Sequence, residues 1–360
     1  MMSRVPGLDG IRGFAVALVL LFHGVGGTMQ PLYEPHRYNW NGMAALILKV
    51  TEPLSGGVEI FFVLSGFLIT FSLLNVRQLD ADAIRRFYVR RWARVAPLYW
   101  LVLLVLLLAG YSLYFLSLSA LFLMNFAPLL SVDSDWLPIW SISVEVQFYL
   151  VWPILLYLVG RRHLLKICLA VVFLSPLFRV IGIQHELDTY SITFFRLDGL
   201  ALGSAFALVI FDQPLGFLES IRKPLWLCLG SFFVIVFFFP DLLDRQTWGG
   251  RVFSYEVWQF LALSLIGFSF QLPRVLRWLD ARVLRKTGEW SYGIFLFHPM
   301  LFYVTAIALR RWGPTQDPRA QLWFVFAQAF FIYFMTFILA WLSYEYFERP
   351  LYRRFAQRPR

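Results

Sequence analysis

Residues 57–69 read Gly57-Val58-Glu59-Ile60-Phe61-Phe62-Val63-Leu64-Ser65-Gly66-Phe67-Leu68-Ile69, and the apolar run continues to Leu74 with only Thr70 and Ser72 interrupting it. A stretch of this kind, near 56–75, is what a helix needs to cross a bilayer, about 20 mostly apolar residues. Its one carboxylate, Glu59, then lies where water is absent. A charge placed there costs several kcal/mol unless it is paired or used.

Nine further segments qualify, near 10–28, 97–118, 139–159, 164–183, 191–211, 224–240, 254–272, 288–309 and 321–347. The expected fold is therefore all-α: a polytopic integral membrane protein of about ten transmembrane helices. Hydrophobic residues make up 59% of the 360 and charged ones 15%, against about 25% charged in soluble domains. The many Phe, Tyr and Trp residues suit lipid-facing surfaces and interfacial belts. The stretch 119–138 is apolar at first but closes with Asp133, Asp135 and Pro138. It is expected outside, as an interfacial or re-entrant piece whose backbone protein must shield. The first run carries Arg12 and ends in His23 with no cleavage site, so it reads as an uncleaved first helix.

Orientation follows from the basic residues. With the N-terminus inside, the cytoplasmic segments hold 22 Lys and Arg and the outer loops 7. That asymmetry places both termini in the cytoplasm. Residues 1–350 read as one transmembrane domain and 351–360 as a basic cytoplasmic tail. The formal charge of +10 is thus a topology signal, and no nucleic-acid partner is expected. Cys168 and Cys228 lie in apolar segments and read as packing residues.

Ionisable side chains inside spans are candidates for function. They are Arg12 and His23 in the first helix, Glu59 in the second, Glu145 in the fourth, Arg196 and Asp198 in the sixth and His298 in the ninth. The competing reading is that they pair to hold the bundle together. Arg12 and His23 are separated by close to three turns, so they share a face about 16 Å apart. Asp9 can pair with Arg12 at the helix start. Glu59 and Glu145 lie within about two turns of the outer ends of helices running the other way, so both are expected at the depth of His23. An imidazole with one or two carboxylates at one depth can perform general-base chemistry, the carboxylate orienting the ring.

The cluster Arg85-Arg86-Phe87-Tyr88-Val89-Arg90-Arg91-Trp92-Ala93-Arg94 is the densest charge on the chain. It reads as a lipid-headgroup anchor or as a ligand site. Arg91 and Arg94 share one helical face, and guanidinium forks suit bidentate phosphate binding, so a polyphosphorylated donor such as coenzyme A would fit. The five histidines have no zinc-ligand spacing, and no metal is expected. Phosphate-cradling and dinucleotide fingerprints are missing, and Ser65 lacks the flanking glycine of a nucleophile elbow. The rival class is a transporter or flippase of lipid-linked saccharides, which would need buried charges along its whole path.

Seven motifs occur in order: Leu8-Asp9-Gly10-Ile11-Arg12-Gly13 with His23; Gly57 to Ile69; Arg90-Arg91-Trp92-Ala93-Arg94-Val95-Ala96-Pro97-Leu98-Tyr99; Trp140-Ser141-Ile142-Ser143-Val144-Glu145-Val146-Gln147-Phe148-Tyr149; Arg196-Leu197-Asp198-Gly199; Ser291-Tyr292-Gly293-Ile294-Phe295-Leu296-Phe297-His298-Pro299; and Glu348-Arg349-Pro350. With them the chain resembles the membrane-bound acyltransferase-3 family, which includes O-acetyltransferases of lipopolysaccharide O-antigen, exopolysaccharide and Nod factors. The resemblance implies transfer of an acyl group, usually acetyl from acetyl-coenzyme A, to a hydroxyl of a glycan, lipid-linked saccharide or related envelope acceptor. It implies a place in the bacterial inner membrane. His23 and Arg12 would be the essential pair, with His23 as general base and Glu145 orienting it. Arg91 and Arg94, helped by Arg85, Arg86 and Arg90, would bind the donor, and Arg12 or the Tyr149 hydroxyl would steady the thioester oxyanion. Val146 departs from the pattern, since many members carry a second acidic residue there. The hydrolase-like domain that some members fuse on is not expected in this chain, which would then complete transfer itself or pass the acyl group to a partner.

Overall fold

The computed structural model describes residues 7–27, 50–132, 139–211, 213, 215–312 and 318–356, and among these it is helical with no strand. The helices are α1 (Leu8–Leu21), α2 (Gly57–Leu74), α3 (Ala81–Leu108), α4 (Leu113–Ala120), α5 (Ile139–Val159), α6 (Arg161–Gln184), α7 (Leu197–Ile210) and α8 (Leu215–Ser220). There follow α9 (Arg222–Phe238), α10 (Trp248–Gln271), α11 (Pro273–Leu279), α12 (Arg282–Glu289), α13 (Ser291–Trp312), α14 (Pro318–Ser343) and α15 (Arg349–Ala356).

Among the described residues seven stretches are long and apolar enough to cross a membrane: Leu8–Val25, Glu52–Leu74, Ala81–Leu108, Ile139–Val159, Arg161–Gln184, Trp248–Gln271 and Phe326–Phe355. Two shorter apolar helices, Leu197–Ile210 and Ser291–Phe302, accompany them, and α9 has 17 residues. The sixth expected segment is short for a physical reason. Residues Thr193–Phe195 form a tight turn, and Arg196, with φ −123° and ψ 1°, caps α7 instead of lying within it.

Local chemistry sets the other boundaries. The Asp80 carboxylate accepts from the Ala83 N–H at 2.7 Å and starts α3, satisfying a donor that the first turn leaves open. The early turns of α3 expose Arg85, Arg86 and Arg90 while burying Ala83 and Phe87. Thr247 caps α10 in the same way through the Gly250 N–H. The α14 helix passes through a widened turn at Tyr344–Glu348 into α15, so helix continues past residue 350 to Ala356.

The most extensive helix contact is α2 on α7. A Cβ on Gly66 would lie 2.0 Å from the Leu200 carbonyl oxygen, and one on Gly203 would lie 1.9 Å from that of Val63. Only glycine permits backbones this close, and small residues at such crossings are a common device of membrane bundles. Helices α2 and α10 are mostly buried, whereas α6 and α14 present most of their apolar side chains outward. Phe173 and Phe178 on α6, Phe237 and Phe238 on α9, and Phe330 and Phe334 on α14 are all exposed. Such a belt is unfavourable in water and favourable against lipid.

The stretch after Ser119 folds back as a turn of tight helix, Met124–Leu130. Part of its backbone is engaged by protein: the Gln147 amide donates to the Phe122 carbonyl at 2.8 Å and the Ser191 hydroxyl to the Asn125 carbonyl at 3.3 Å. Residues 133–138, with Asp133 and Asp135, and most of the expected outer loop 29–55 lie outside the described residues.

Candidate functional site

The α1, α2, α3, α5 and α13 helices converge on a cavity of about 100 Å³ lined by Arg12, Ser65, Arg91, Arg94, Glu145 and Tyr149 among others. It shares Arg12, Arg91, Arg94 and Tyr292 with a wider cavity of about 780 Å³. The wider one adds Asp9, Glu289, Glu348 and Arg349 at its wall. Arg12 is held by Asp9 at 2.9 Å, the i, i+3 pair read from the sequence. Arg91 lies over the Tyr149 ring at 5.3 Å, and the Tyr292 hydroxyl donates to the Val95 carbonyl at 2.6 Å, tying α13 to α3. Three guanidinium groups, one of them paired with Asp9, and one carboxylate give the inner cavity a cationic lining.

Glu145 is placed differently from expectation. Its two oxygens accept from the Ser65 and Tyr149 hydroxyls, each at 2.6 Å. Ser65 is six residues beyond Glu59 on α2, so Glu145 lies about 9 Å deeper than Glu59. The reason is the height at which α5 begins: buried Trp140, in its first turn, already packs on Phe62 at 6.1 Å. Glu59 misses the depth of His23 as well, because Gly57 lies against the Ala15 carbonyl near the middle of α1. Glu145 therefore orients Ser65 and Tyr149 and not the imidazole, and the expected three-group cluster at one depth does not form. Arg85, Arg86 and Arg90 are exposed and line neither cavity.

His23 lies in a widened turn, Phe22–Gly27, that continues α1. A second imidazole lies beside it, with the His23 and His298 ring centroids 5.0 Å apart. Phe22, Phe295 and Phe302 pack edgewise or tilted around the two rings. His23 lines neither described cavity. Between the arginine cavity and the histidines stand Phe61 and Phe295, which line the cavity and contact each other at 6.4 Å between centroids.

The remaining candidates form a third group. Arg196 pairs with Glu59, both fully buried, and Gln259 donates to the other Glu59 oxygen at 3.5 Å. Arg179 bridges Asp198, at 2.8 Å, and Glu256. The Arg196 guanidinium is enclosed by Phe62, Trp140, Tyr190 and Tyr255, the last 4.2 Å away. Glu59, Arg196 and Asp198 are thus held in ion pairs that link α2, α6, α7 and α10. Arg179, Glu256 and Gln259 were not singled out from the sequence. The signal was available: Arg179 falls inside an apolar span, and Glu256 and Gln259 share a face three residues apart near the end of another. Among the described residues no three His, Cys, Asp or Glu side chains converge.

A family model described as an acyltransferase domain matches residues 5–345. Among curated proteins, YrhL of Bacillus subtilis is 30% identical over 98% of this chain and 56% of its own length. The peptidoglycan O-acetyltransferase OatA of Listeria monocytogenes is 25% identical over 96% of this chain and 56% of its own length. The O-acetyltransferase OatA of Staphylococcus aureus is 25% identical over 97% and 57%. The chain thus spans a little over half the length of these relatives. No solved structure matches it.

Proposed function

We propose, from the premise that the chain belongs to this acyltransferase family, that it is a membrane-embedded O-acyltransferase moving acetyl from acetyl-coenzyme A to a hydroxyl of peptidoglycan or a related envelope glycan. The observation that carries this reading is the pair of joined cavities lined by Arg12, Arg91 and Arg94. The wide cavity is large enough for a nucleotide, and its guanidinium groups suit a polyphosphate. The names of the relatives point to acetyl as the acyl group and peptidoglycan as the acceptor class.

In this reading the chain crosses the bacterial inner membrane about ten times, with both ends and the wide cavity cytoplasmic. Arg91 and Arg94 hold the donor phosphates. The thin pantetheine arm enters the inner cavity past Arg12 and the Ser65–Glu145 pair and displaces Phe61 and Phe295 to bring its thioester to His23. The resting inner cavity holds only about three water-sized groups, so this displacement is required. The Nε2 of His23 takes the proton of the acceptor hydroxyl while that oxygen bonds to the thioester carbon. The carbon–sulfur bond then breaks, and the proton returns to the coenzyme A thiolate.

Purified protein in liposomes, supplied with labelled acetyl-coenzyme A and a peptidoglycan fragment, tests the reading. Label enters the glycan with the parent protein and fails to with a folded His23→Ala variant. Transfer unchanged by that substitution removes His23 from the site, and absence of any transfer to glycan with the parent protein removes the proposed reaction.

A further inference from the structure

His298 lies in α13 far from His23 in sequence, and its side chain is fully buried. The His23 Nδ1 lies 3.0 Å from the Val19 carbonyl oxygen, and the His298 Nδ1 lies 2.9 Å from that of Ile294. A carbonyl only accepts, so each Nδ1 must carry the hydrogen. In the neutral ring that leaves Nε2 as a bare lone pair. The His298 Nε2 is buried and has no hydrogen-bond partner. A basic nitrogen left open in such surroundings is destabilising, and an open buried group in a native fold calls for an explanation.

The reaction supplies one. When His23 takes a proton it becomes an imidazolium among Phe22, Phe302 and the lipid-facing end of α1. A cation in apolar surroundings needs a hydrogen-bonding partner. Among the described residues the hydrogen bond found for the His23 ring is the one to Val19, and the carboxylates Glu59 and Glu145 are engaged by Arg196, Ser65 and Tyr149. The ring 5.0 Å away has a free lone pair on its Nε2, at a separation that lets ring nitrogens reach hydrogen-bond distance.

We infer that His298 is a positioning residue for the acyl transfer, its open Nε2 accepting the new N–H of His23 after His23 has deprotonated the acceptor hydroxyl. The acceptor O–H breaks, its proton binds the His23 Nε2, and that N–H is shared with the His298 Nε2 until the departing thiolate takes it back. Both rings end neutral, as they began. The inference rests on the proposed role of His23, and its test separates the two.

The experiment compares His298→Gln and His298→Ala, alone and combined with His23→Ala, in the liposome assay. Glutamine can place an accepting amide oxygen near the Nε2 position, whereas alanine removes the acceptor. The expected result is a fall in kcat of about 10–100-fold in His298→Ala and a smaller loss in His298→Gln, with KM for donor and acceptor within about threefold of the parent and thermal unfolding of the Gln variant unchanged. In the His23→Ala background the His298 substitutions should cause no further loss, because the residue acts through His23. Full activity in His298→Ala overturns the inference, as do equal losses in the Ala and Gln variants or a further multiplicative loss in the double variant. Should His298→Ala fail to fold, His298→Leu, which fills the site but accepts no hydrogen bond, takes its place. If His23→Ala keeps full activity, the failure belongs to the proposed function.

Discussion

Replacing Gly66 by alanine puts a methyl group 2.0 Å from the Leu200 carbonyl oxygen, while real Cβ atoms essentially never approach closer than 3.0 Å. The α2 and α7 backbones must therefore separate by about 1 Å at this crossing. Neither side of the contact is a side-chain tip that can rotate away. Overpacking of this kind costs about 1–3 kcal/mol, and here the upper end is expected because the contact is backbone on backbone. Gly230, in the interior of α9, is the internal control. Its added Cβ meets nothing within 4 Å, and Gly→Ala inside a helix gains about 0.5–1 kcal/mol. The same substitution should thus have opposite signs at two helical glycines of one chain. Thermal unfolding of the purified variants in detergent reads the difference. Equal shifts at the two sites, or a stabilised Gly66→Ala, would refute the close crossing of α2 and α7. Because Gly66 follows Ser65, the Gly66→Ala protein should also lose transfer activity at temperatures where it is still folded.

Three further outcomes follow from the site. Glu59→Gln leaves the fully buried Arg196 without its carboxylate and should cost about 3–5 kcal/mol; Glu59→Gln with Arg196→Gln should cost less than the two single changes together, as urea or thermal titration will show. Glu145→Gln and Ser65→Ala disturb one hydrogen-bonded unit, so their effects on kcat should overlap instead of multiplying, and independent losses in the double variant would contradict the shared contact. Arg91→Lys keeps the charge but loses the fork and the contact with Tyr149, so KM for acetyl-coenzyme A should rise about tenfold with little change in kcat; an unchanged KM would remove Arg91 from donor binding.

What the sequence could reveal divides along physical lines. Relations within one helix were readable. The Asp9–Arg12 pair and the shared face of Arg91 and Arg94 depend only on helical spacing, and both are present. Relations between helices depend on relative height, which hydropathy does not encode. Glu145 was expected beside His23 because each is a similar number of residues from an apparent outer end. The α5 helix, however, starts beneath the shielded turn at Met124–Leu130, and its carboxylate drops to the level of Ser65. The pairing of His23 with His298 had no sequence signal beyond the presence of both, since it requires α1 and α13 to be neighbours at one register. Arg196 shows the third case, in which a polar residue inside an apolar window breaks the helix and caps the next one.

Because Arg179, Asp198 and Glu256 reside on three different helices, α6, α7 and α10, the chain cannot enter lipid one helix at a time at low cost. When α6 emerges from the ribosome, the carboxylates that pair with Arg179 are not yet made, and a lone arginine in an apolar segment raises the insertion free energy by up to about 2.5–3.5 kcal/mol, the value at a helix centre. Asp198 follows in the first turn of a helix of only 14 residues. The Glu256 partner exists only after α10 has been synthesised. These helices are expected to be held together until all three are made, so biogenesis of this chain should depend on retention as much as on hydrophobicity.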